Sequence, residues 1–203
     1  MINRKFFFDY ERQHLFGGSL KAGQVAGLNA ILDKWEDAYA NKDDRWLAYA
    51  LGTAHHEVGA TMQPINEWGG SKYFFRMYDK DGDRPKKAAE LGNTQSGDGV
   101  LFHGRGYVQL TGRSNYTKMQ TKFKVDLTTD ADAAKHALEP DLAAKIMFYG
   151  MENGVFTGKK FKDYFDGAKA DWEKARAIIN PGDKAQLVAN YAKSYYAAIS
   201  YTK

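Results

Sequence analysis

The feature that most constrains this chain is a glycine-rich segment between Leu91 and Tyr116. Five of its glycines lie within sixteen residues, at positions 97, 99, 104, 106 and 112. A chain tolerates so many glycines mainly where the backbone needs unusual dihedral angles or approaches another surface closely. Polar side chains able to bind a polyhydroxylated ligand lie between them: His103, Arg105, Gln109, Thr111, Arg113, Asn115 and Tyr116. We interpret the segment as the wall of a binding cleft that Glu57 and Glu67 could face.

Helical periodicity dominates the remaining sequence. It predicts a helix that Ser19 caps and that runs to Trp35, and further helices over residues 43–59, 115–123, 140–154, 172–179 and 185–201. Residues 61–102 are rich in glycine, proline and aspartate, so we predict a long loop there. The apolar alternation Tyr107–Leu110 is too short to form a core, and we expect a small β element near the cleft. The expected fold class is mainly α, a helical domain with a small β element beside the active-site cleft.

The composition excludes several classes of function. The 203 residues predict a single domain, with no separate cell-wall-binding domain. The absence of cysteine excludes disulfides, thiolate metal sites and a cysteine nucleophile. A net charge of +4 favours anionic partners, namely nucleic acid, membrane headgroups or an acidic cell-wall polymer. No run of Lys or Arg exceeds two residues, which argues against a nucleic-acid-binding tail. Neither a signal-peptide core nor a membrane span is recognisable, so we expect a cytoplasmic product.

Glu57 is the first candidate for acid–base chemistry. It continues the helical stripe of Leu47, Ala50 and Ala54, because these positions are three or four residues apart. Burial and the negative end of the helix would both keep its carboxyl group protonated near neutral pH, as a general acid requires. Alternatively, its side chain reaches out from the last turn and is solvated.

Glu67 is the second candidate. It lies in a predicted loop, where we expect its carboxylate to stay ionised and able to activate water. A neutral acid at Glu57 and a charged one at Glu67 would form the pair that glycoside hydrolysis uses. The alternative is a solvated surface glutamate. Four aspartates compete for the same role: Asp79, Asp81, Asp83 and Asp98.

Three segments carry a resemblance to a known family. They are AHHE at Ala54–Glu57 with a second acid soon after, GRGYVQLTGRSNY at Gly104–Tyr116, and ARAIINPG at Ala175–Gly182. Together they resemble glycoside hydrolase family 19, which holds plant-type chitinases and a branch of phage endolysins. LGNTQSGDG before the second segment, and TGR within it, resemble the bacterial and phage branch rather than the plant enzymes. Pro181 stands where the family usually has a glycine.

The resemblance implies a lysozyme-like α+β fold and a set of roles. Glu57 would be the general acid, Glu67 the base that activates water from the opposite face with inversion, and Thr111 a holder of that water. Gln109, Tyr116 and Asn180 would contact sugar. We add His56, Arg105, Tyr107 and Asn115 to the predicted substrate-binding residues. We predict no metal and no cofactor.

Other interpretations of these residues remain open. His55, His56 and His103 could bind a metal, although the regular spacing of zinc hydrolases is missing, and we favour a role in orienting Glu57 or in packing. Residues 79–90 partly match a calcium-binding loop, but Arg84 replaces its obligatory glycine, so we predict a solvated turn. Arg105 and Arg113 could instead pin the loop by pairing with Asp98 or Glu57.

The hypothesis that follows is a monomeric phage endolysin, a muramidase that cuts β-1,4 bonds in the glycan strands of peptidoglycan. It would stay in the host cytoplasm until release to the cell wall, without binding nucleic acid or inserting stably in the membrane. The alternatives are a chitinase, a non-catalytic sugar-binding module of a phage particle, and, less favoured, a metallopeptidase of wall crosslinks.

Overall fold

The computed structural model describes residues 1–200, which form two units. The first comprises residues 1–63 and 147–200, and the second comprises residues 64–146. The first contains α1 (Arg4–His14), α2 (Ala22–Ala38), α3 (Asp44–Glu57), the hairpin of β3 (Phe165–Asp166) with β4 (Lys169–Ala170), and α10 (Ala185–Ser200). The second contains β1 (Ile65–Asn66), α4 (Ser71–Tyr78), α5 (Pro85–Glu90), α6 (Asp98–Leu101), β2 (Arg105–Gly106), α7 (Arg113–Phe123) and α8 (Ala131–Lys135). A ninth helix, α9 (Pro140–Asn153), begins in the second unit and ends in the first.

The core of the first unit forms where α3 packs along α10. Every residue of α3 from Leu47 to His55 is buried. The two backbones approach so closely that a Cβ on Gly52 would lie 2.6 Å from the Ala192 amide nitrogen. A glycine at position 52 therefore allows this packing, since any side chain would push the helices apart. Asp43 caps α3 by accepting a hydrogen bond from the Arg45 amide (3.0 Å), at the position where the helix was predicted to begin.

The small β element lies in the second unit, where β1 and β2 pair antiparallel. Ile65 pairs with Gly106 and Asn66 with Arg105. The chain then turns back at once, because Arg105 and Leu110 exchange two backbone hydrogen bonds (2.8 and 3.1 Å). This tight turn contains two left-handed residues, Gly106 (φ 87°) and Gln109 (φ 55°).

The predicted fold class, mainly α with a small β element, is confirmed. The helices predicted to begin near residues 43, 115, 140 and 185 are present, although Tyr201, the last position of the final one, lies outside the described residues. The long loop predicted over 61–102 is wrong, because it holds the short helices α4, α5 and α6. Residues 172–179 form instead a 3-10 helix at Lys174–Ile178. Two helices, α1 and α8, were not predicted.

A further expectation about local structure is wrong. Lys21, not Ser19, is the N-cap of α2, and the Gln24 side chain accepts a hydrogen bond from its amide (2.8 Å). Residues 107–109 form a turn after β2, and Tyr107, Val108 and Leu110 are all buried. Within residues 1–200, no helix is both long and apolar enough to cross a membrane.

Glu11 is a buried carboxyl group at the contact between α1 and α10. The Ser194 hydroxyl donates a hydrogen bond to its Oε2 (3.1 Å). Burial raises the pKa of Glu11 to about 8, although the Ser194 hydrogen bond acts in the opposite direction. The folded protein therefore holds Glu11 protonated near neutral pH.

Glu11→Gln should remove a pH dependence of stability. A carboxyl group whose pKa rises on folding contributes stability that is complete below its unfolded pKa and is lost as pH rises towards 8. The wild-type free energy of unfolding should fall by on the order of 4 kcal/mol between pH 4 and pH 8 for this group. Denaturant titrations across that range should show a flatter profile for Glu11→Gln than for Glu173→Gln, a control at an exposed position. Parallel profiles for the two variants would contradict the assignment.

Candidate functional site

Glu57 is the last residue of α3, and its side chain is turned towards a buried arginine. Arg176 Nη1 donates a hydrogen bond to Glu57 Oε1 (2.6 Å), and the two side chains are 3% and 17% exposed. Arg176 lies on the 3-10 helix and also donates from Nε to the Asp183 carbonyl (2.9 Å). The solvated alternative for Glu57 is therefore wrong.

Sequence reasoning missed Arg176. The segment Ala175–Gly182 was recognised, but Asn180 was selected from it as the functional residue. The structure places Asn180 at the surface. Since Arg176 is 119 positions from Glu57 along the chain, no local spacing pattern links them.

The histidines beside Glu57 are neutral groups in a packed environment. His55 is buried, with Nδ1 3.0 Å from the Tyr195 hydroxyl, and burial lowers its pKa to about 4. His56 is half-buried, and its pKa is also lowered, chiefly by burial. Nowhere in residues 1–200 do three His, Cys, Asp or Glu side chains cluster in a way that could hold a metal ion.

A double-mutant cycle should reveal strong coupling between Glu57 and Arg176. The variants Glu57→Ala, Arg176→Met and their combination should give a coupling free energy of about 1–3 kcal/mol in unfolding experiments, because each single change leaves the other group without its partner. The exposed pair Asp132 and Lys135, treated identically, should couple much more weakly. Equal coupling free energies in the two pairs would show that the buried contact stabilises the fold no more than an exposed one.

Glu67 follows β1 and is held on both carboxylate oxygens. The Tyr78 hydroxyl donates to Oε1 (2.7 Å), and the Gly104 amide donates to Oε2 (3.0 Å). The Glu67 amide in turn donates to the Gly104 carbonyl (2.8 Å). Both oxygens therefore act as acceptors, the role that a carboxylate fills. Glu67 is half-buried and braced, in contrast to the solvated loop residue of the alternative interpretation.

Gly104 is adjacent to that carboxylate because it lacks a side chain. A Cβ at this position would lie 3.0 Å from Glu67 Oε2 and 2.8 Å from Gln109 Oε1. Both distances are too short for ordinary contacts. The first glycine of the Gly-Arg-Gly motif therefore leaves room for the Glu67 carboxylate.

Three of the residues predicted to bind sugar are inside the protein. Tyr107 and Tyr116 are fully buried, and Arg105 is 4% exposed. Arg105 Nη1 donates to the Leu101 carbonyl and to the Tyr116 hydroxyl (both 2.8 Å), and that hydroxyl donates to the His103 carbonyl (3.0 Å). Burial raises the pKa of Tyr116 to about 12. The prediction of direct sugar contact is therefore wrong for these three residues, which shape the loop from within.

Three other predicted residues of this loop remain half-exposed: Gln109, Thr111 and Asn115. They form a short relay of hydrogen bonds. Gln109 Nε2 donates to the Gly106 carbonyl (3.1 Å), Thr111 Oγ1 to the Gln109 carbonyl (2.8 Å), and Asn115 Nδ2 to the Thr111 carbonyl (3.1 Å). The Thr111 oxygen can still accept a hydrogen bond, because its own hydrogen is directed to Gln109.

The competing acids have structural roles. Asp98 is buried and paired with Arg113, and Arg113 Nε lies 2.8 Å from Asp98 Oδ2. The arginine that pairs with Asp98 is therefore Arg113, not Arg105. Asp79 is fully buried and accepts from the Gly97 and Gly99 amides (2.8 and 3.1 Å). The solvated-turn prediction is therefore wrong at Asp79, although Asp81 and Asp83 are exposed.

The two units divide the candidate residues between them. Glu57, His56, Arg176 and Asn180 belong to the first unit. Glu67, Gln109, Thr111 and Asn115 belong to the second. Each unit thus contains one carboxylate whose side chain is fixed by named hydrogen-bond donors.

Comparison with solved structures defines the class of fold. The chain is similar to chitinase C from Streptomyces griseus HUT6037, with a TM-score of 0.58 and 17% identity over 98% of this chain and 76% of that chain. It is also similar to a glutamate-to-glutamine mutant of chitinase C, with a TM-score of 0.61 and 18% identity over the same shares. These likenesses confirm the predicted lysozyme-like α+β fold class. No protein-family model matches the chain. No curated protein matches it either.

Proposed function

We propose that this protein is a glycoside hydrolase that cuts β-1,4 bonds in polymers containing N-acetylglucosamine, with Glu57 as acid and Glu67 as base. The observation that carries the proposal is that each carboxylate is fixed by dedicated donors, Arg176 for Glu57 and Tyr78 with Gly104 for Glu67. Two independent lines support it. The motifs resemble glycoside hydrolase family 19, and the fold resembles that of chitinase C.

The hydrogen bonds suggest how each carboxylate would work. Arg176 occupies Glu57 Oε1, so we assign the proton transfer to the leaving oxygen of the sugar to Oε2. Glu67 would accept a proton from the attacking water, since each of its oxygens has a further lone pair beyond those used by Tyr78 and Gly104. Thr111 would accept a hydrogen bond from the same water. Attack on the face opposite the leaving group inverts the anomeric centre.

Peptidoglycan is the substrate that we favour, in the role of a monomeric phage endolysin. A net charge of +4 attracts the protein to an anionic wall polymer more than to neutral chitin. In this proposal the enzyme is held in the host cytoplasm and reaches the glycan strands after release. Chitin is the second candidate, favoured by the similarity to chitinase C.

The deciding experiment is digestion of purified peptidoglycan followed by mass spectrometry of the new reducing ends. A new reducing end on N-acetylmuramic acid identifies a muramidase. Cleavage of chitooligosaccharides without release from peptidoglycan identifies a chitinase. Chloroform-permeabilised Gram-negative cells should clear with the purified protein. Sugar binding without any cleavage would identify a non-catalytic module and reject the proposed activity.

Glu57→Gln should abolish turnover and leave the fold nearly intact. Glutamine preserves a hydrogen-bond acceptor for Arg176 but cannot donate a proton as an acid, so kcat should fall by about 10²–10⁴-fold or more. Release of reducing ends measures the loss, and circular dichroism checks the fold. Wild-type turnover in this variant would place the acid elsewhere.

Gly104→Ala should lower kcat by displacing the Glu67 carboxylate. The added methyl group would meet Glu67 Oε2 and Gln109 Oε1, which are the ends of side chains and can move, so the stability cost should stay within about 1–3 kcal/mol. Gly70→Ala is the matched control, since a Cβ at Gly70 has nothing within 4 Å. Equal kcat values for the two variants would show that the carboxylate position does not matter to turnover.

A further inference from the structure

Trp68 is a large apolar side chain left in water directly after Glu67. Its side chain is 88% exposed, the highest exposure among the large hydrophobic residues of the described chain apart from Met1. Tryptophan combines a wide apolar face with one hydrogen-bond donor, and it is usually largely buried in proteins. A tryptophan presented in this way beside a candidate catalytic group points to a ligand that covers it.

The segment that presents Trp68 is fixed on both sides. Before it, Glu67 is bound to Gly104 through both its amide and its carboxylate. After it, Gly69 packs so tightly that a Cβ there would lie 2.7 Å from Tyr73 Cδ1 and 2.9 Å from Phe74 Cε1. Trp68 is therefore displayed by a braced turn, and little conformational freedom would be lost when a ligand covers it.

The surroundings of Trp68 are suited to a sugar ring. Tyr73 is 43% exposed and adds a second aromatic surface. Phe74 stacks on the His103 ring (centroids 4.2 Å apart), and His103 Nε2 lies 3.2 Å from Oδ1 of the exposed Asn66. A pyranose has an apolar face of C–H groups, which carry partial positive charge, and a rim of hydroxyl groups. The negative faces of aromatic rings attract the C–H groups, and amide and carboxylate groups bind the hydroxyl groups.

We propose that Trp68 is a substrate-binding residue that stacks on a sugar ring next to the one attacked, with Tyr73 and Asn66 beside it. The inference rests on the proposed function in that it takes Glu67 as part of the reacting centre. It adds a sugar-binding surface to the side of the site that Glu67 occupies. The ligand of this surface is a β-1,4-linked N-acetylhexosamine. Stacking acts on the bound substrate as well as on the transition state, so its loss should appear mainly in KM.

The test compares Trp68→Ala, Trp68→Phe and the wild type on soluble, uncrosslinked peptidoglycan strands. Trp68→Ala should raise KM about tenfold or more while changing kcat by less than about threefold, and Trp68→Phe should recover most of the affinity because it keeps an aromatic face. Leu187→Ala, at another exposed apolar residue, is the matched control and should leave KM unchanged. Since Trp68 is exposed, all variants should unfold at the wild-type midpoint.

Fluorescence provides a readout that does not need catalysis. Trp35 is buried and Trp46 and Trp172 are half-buried, so the exposed Trp68 should dominate the change in tryptophan emission when the same strands are added to Glu57→Gln protein. We expect a blue shift that is lost when Trp68→Phe is combined with Glu57→Gln. If the wild type cleaves nothing but still shows the Trp68-dependent shift, the proposed hydrolysis fails and the stacking role stands. An unchanged KM in Trp68→Ala, or no Trp68-dependent shift, overturns the stacking role whether or not the protein is a hydrolase.

Discussion

The second unit depends on the close meeting of Glu67 and Gly104. The Glu67 amide donates a hydrogen bond to the Gly104 carbonyl, and the Gly104 amide donates one to the Glu67 carboxylate. This contact continues the two-residue pairing of β1 with β2, which by itself would be far too short to be stable. The missing side chain at Gly104 allows the carboxylate to approach, so the glycine motif and the acidic residue form one structural feature.

Buried arginines fix the chain around both carboxylates. A guanidinium stays charged, so burying it costs free energy unless its N–H groups find acceptors. Arg105 Nη1 finds them on Leu101 in α6 and Tyr116 in α7, whereas Arg105 Nε has no acceptor among the described residues. Arg176 finds them on Glu57 and Asp183. Each arginine thus ties a loop to an element next to a candidate catalytic group. Replacing either with an apolar residue would leave carbonyl or carboxylate oxygens without donors.

Local signals in the sequence were enough to predict the long helices. α3 has an Asp43 cap, a clear apolar stripe and Gly59 in a left-handed conformation just beyond it, and none of these depends on distant residues. The short helices α4 to α6 could not be predicted in the same way. Their surroundings depend on contacts such as the Asp79 carboxylate with the Gly97 amide, 18 positions away, which carry no periodic signature.

The sequence motif was enough to predict which loop belongs to the candidate site. It could not predict which side chains of that loop are exposed, because packing determines their burial. The Gly-Arg-Gly segment identified the correct loop, but residue type alone did not show which polar groups face outward. Arg105 and Tyr116 have polar atoms suited to a sugar, yet they satisfy one another inside the fold. Trp68 illustrates the reverse, since its apolar ring suggests burial and the structure leaves it exposed.

The two carboxylates differ in the kind of donor that holds them. Glu57 is bound by a cation, whereas Glu67 is bound by a phenol hydroxyl and a backbone amide, which are neutral. A hydrogen bond from a charged donor is stronger than one from a neutral donor. The position of the Glu57 side chain therefore depends on one strong contact with a residue 119 positions away, whereas the position of Glu67 depends on two weaker contacts, one of which comes from the backbone.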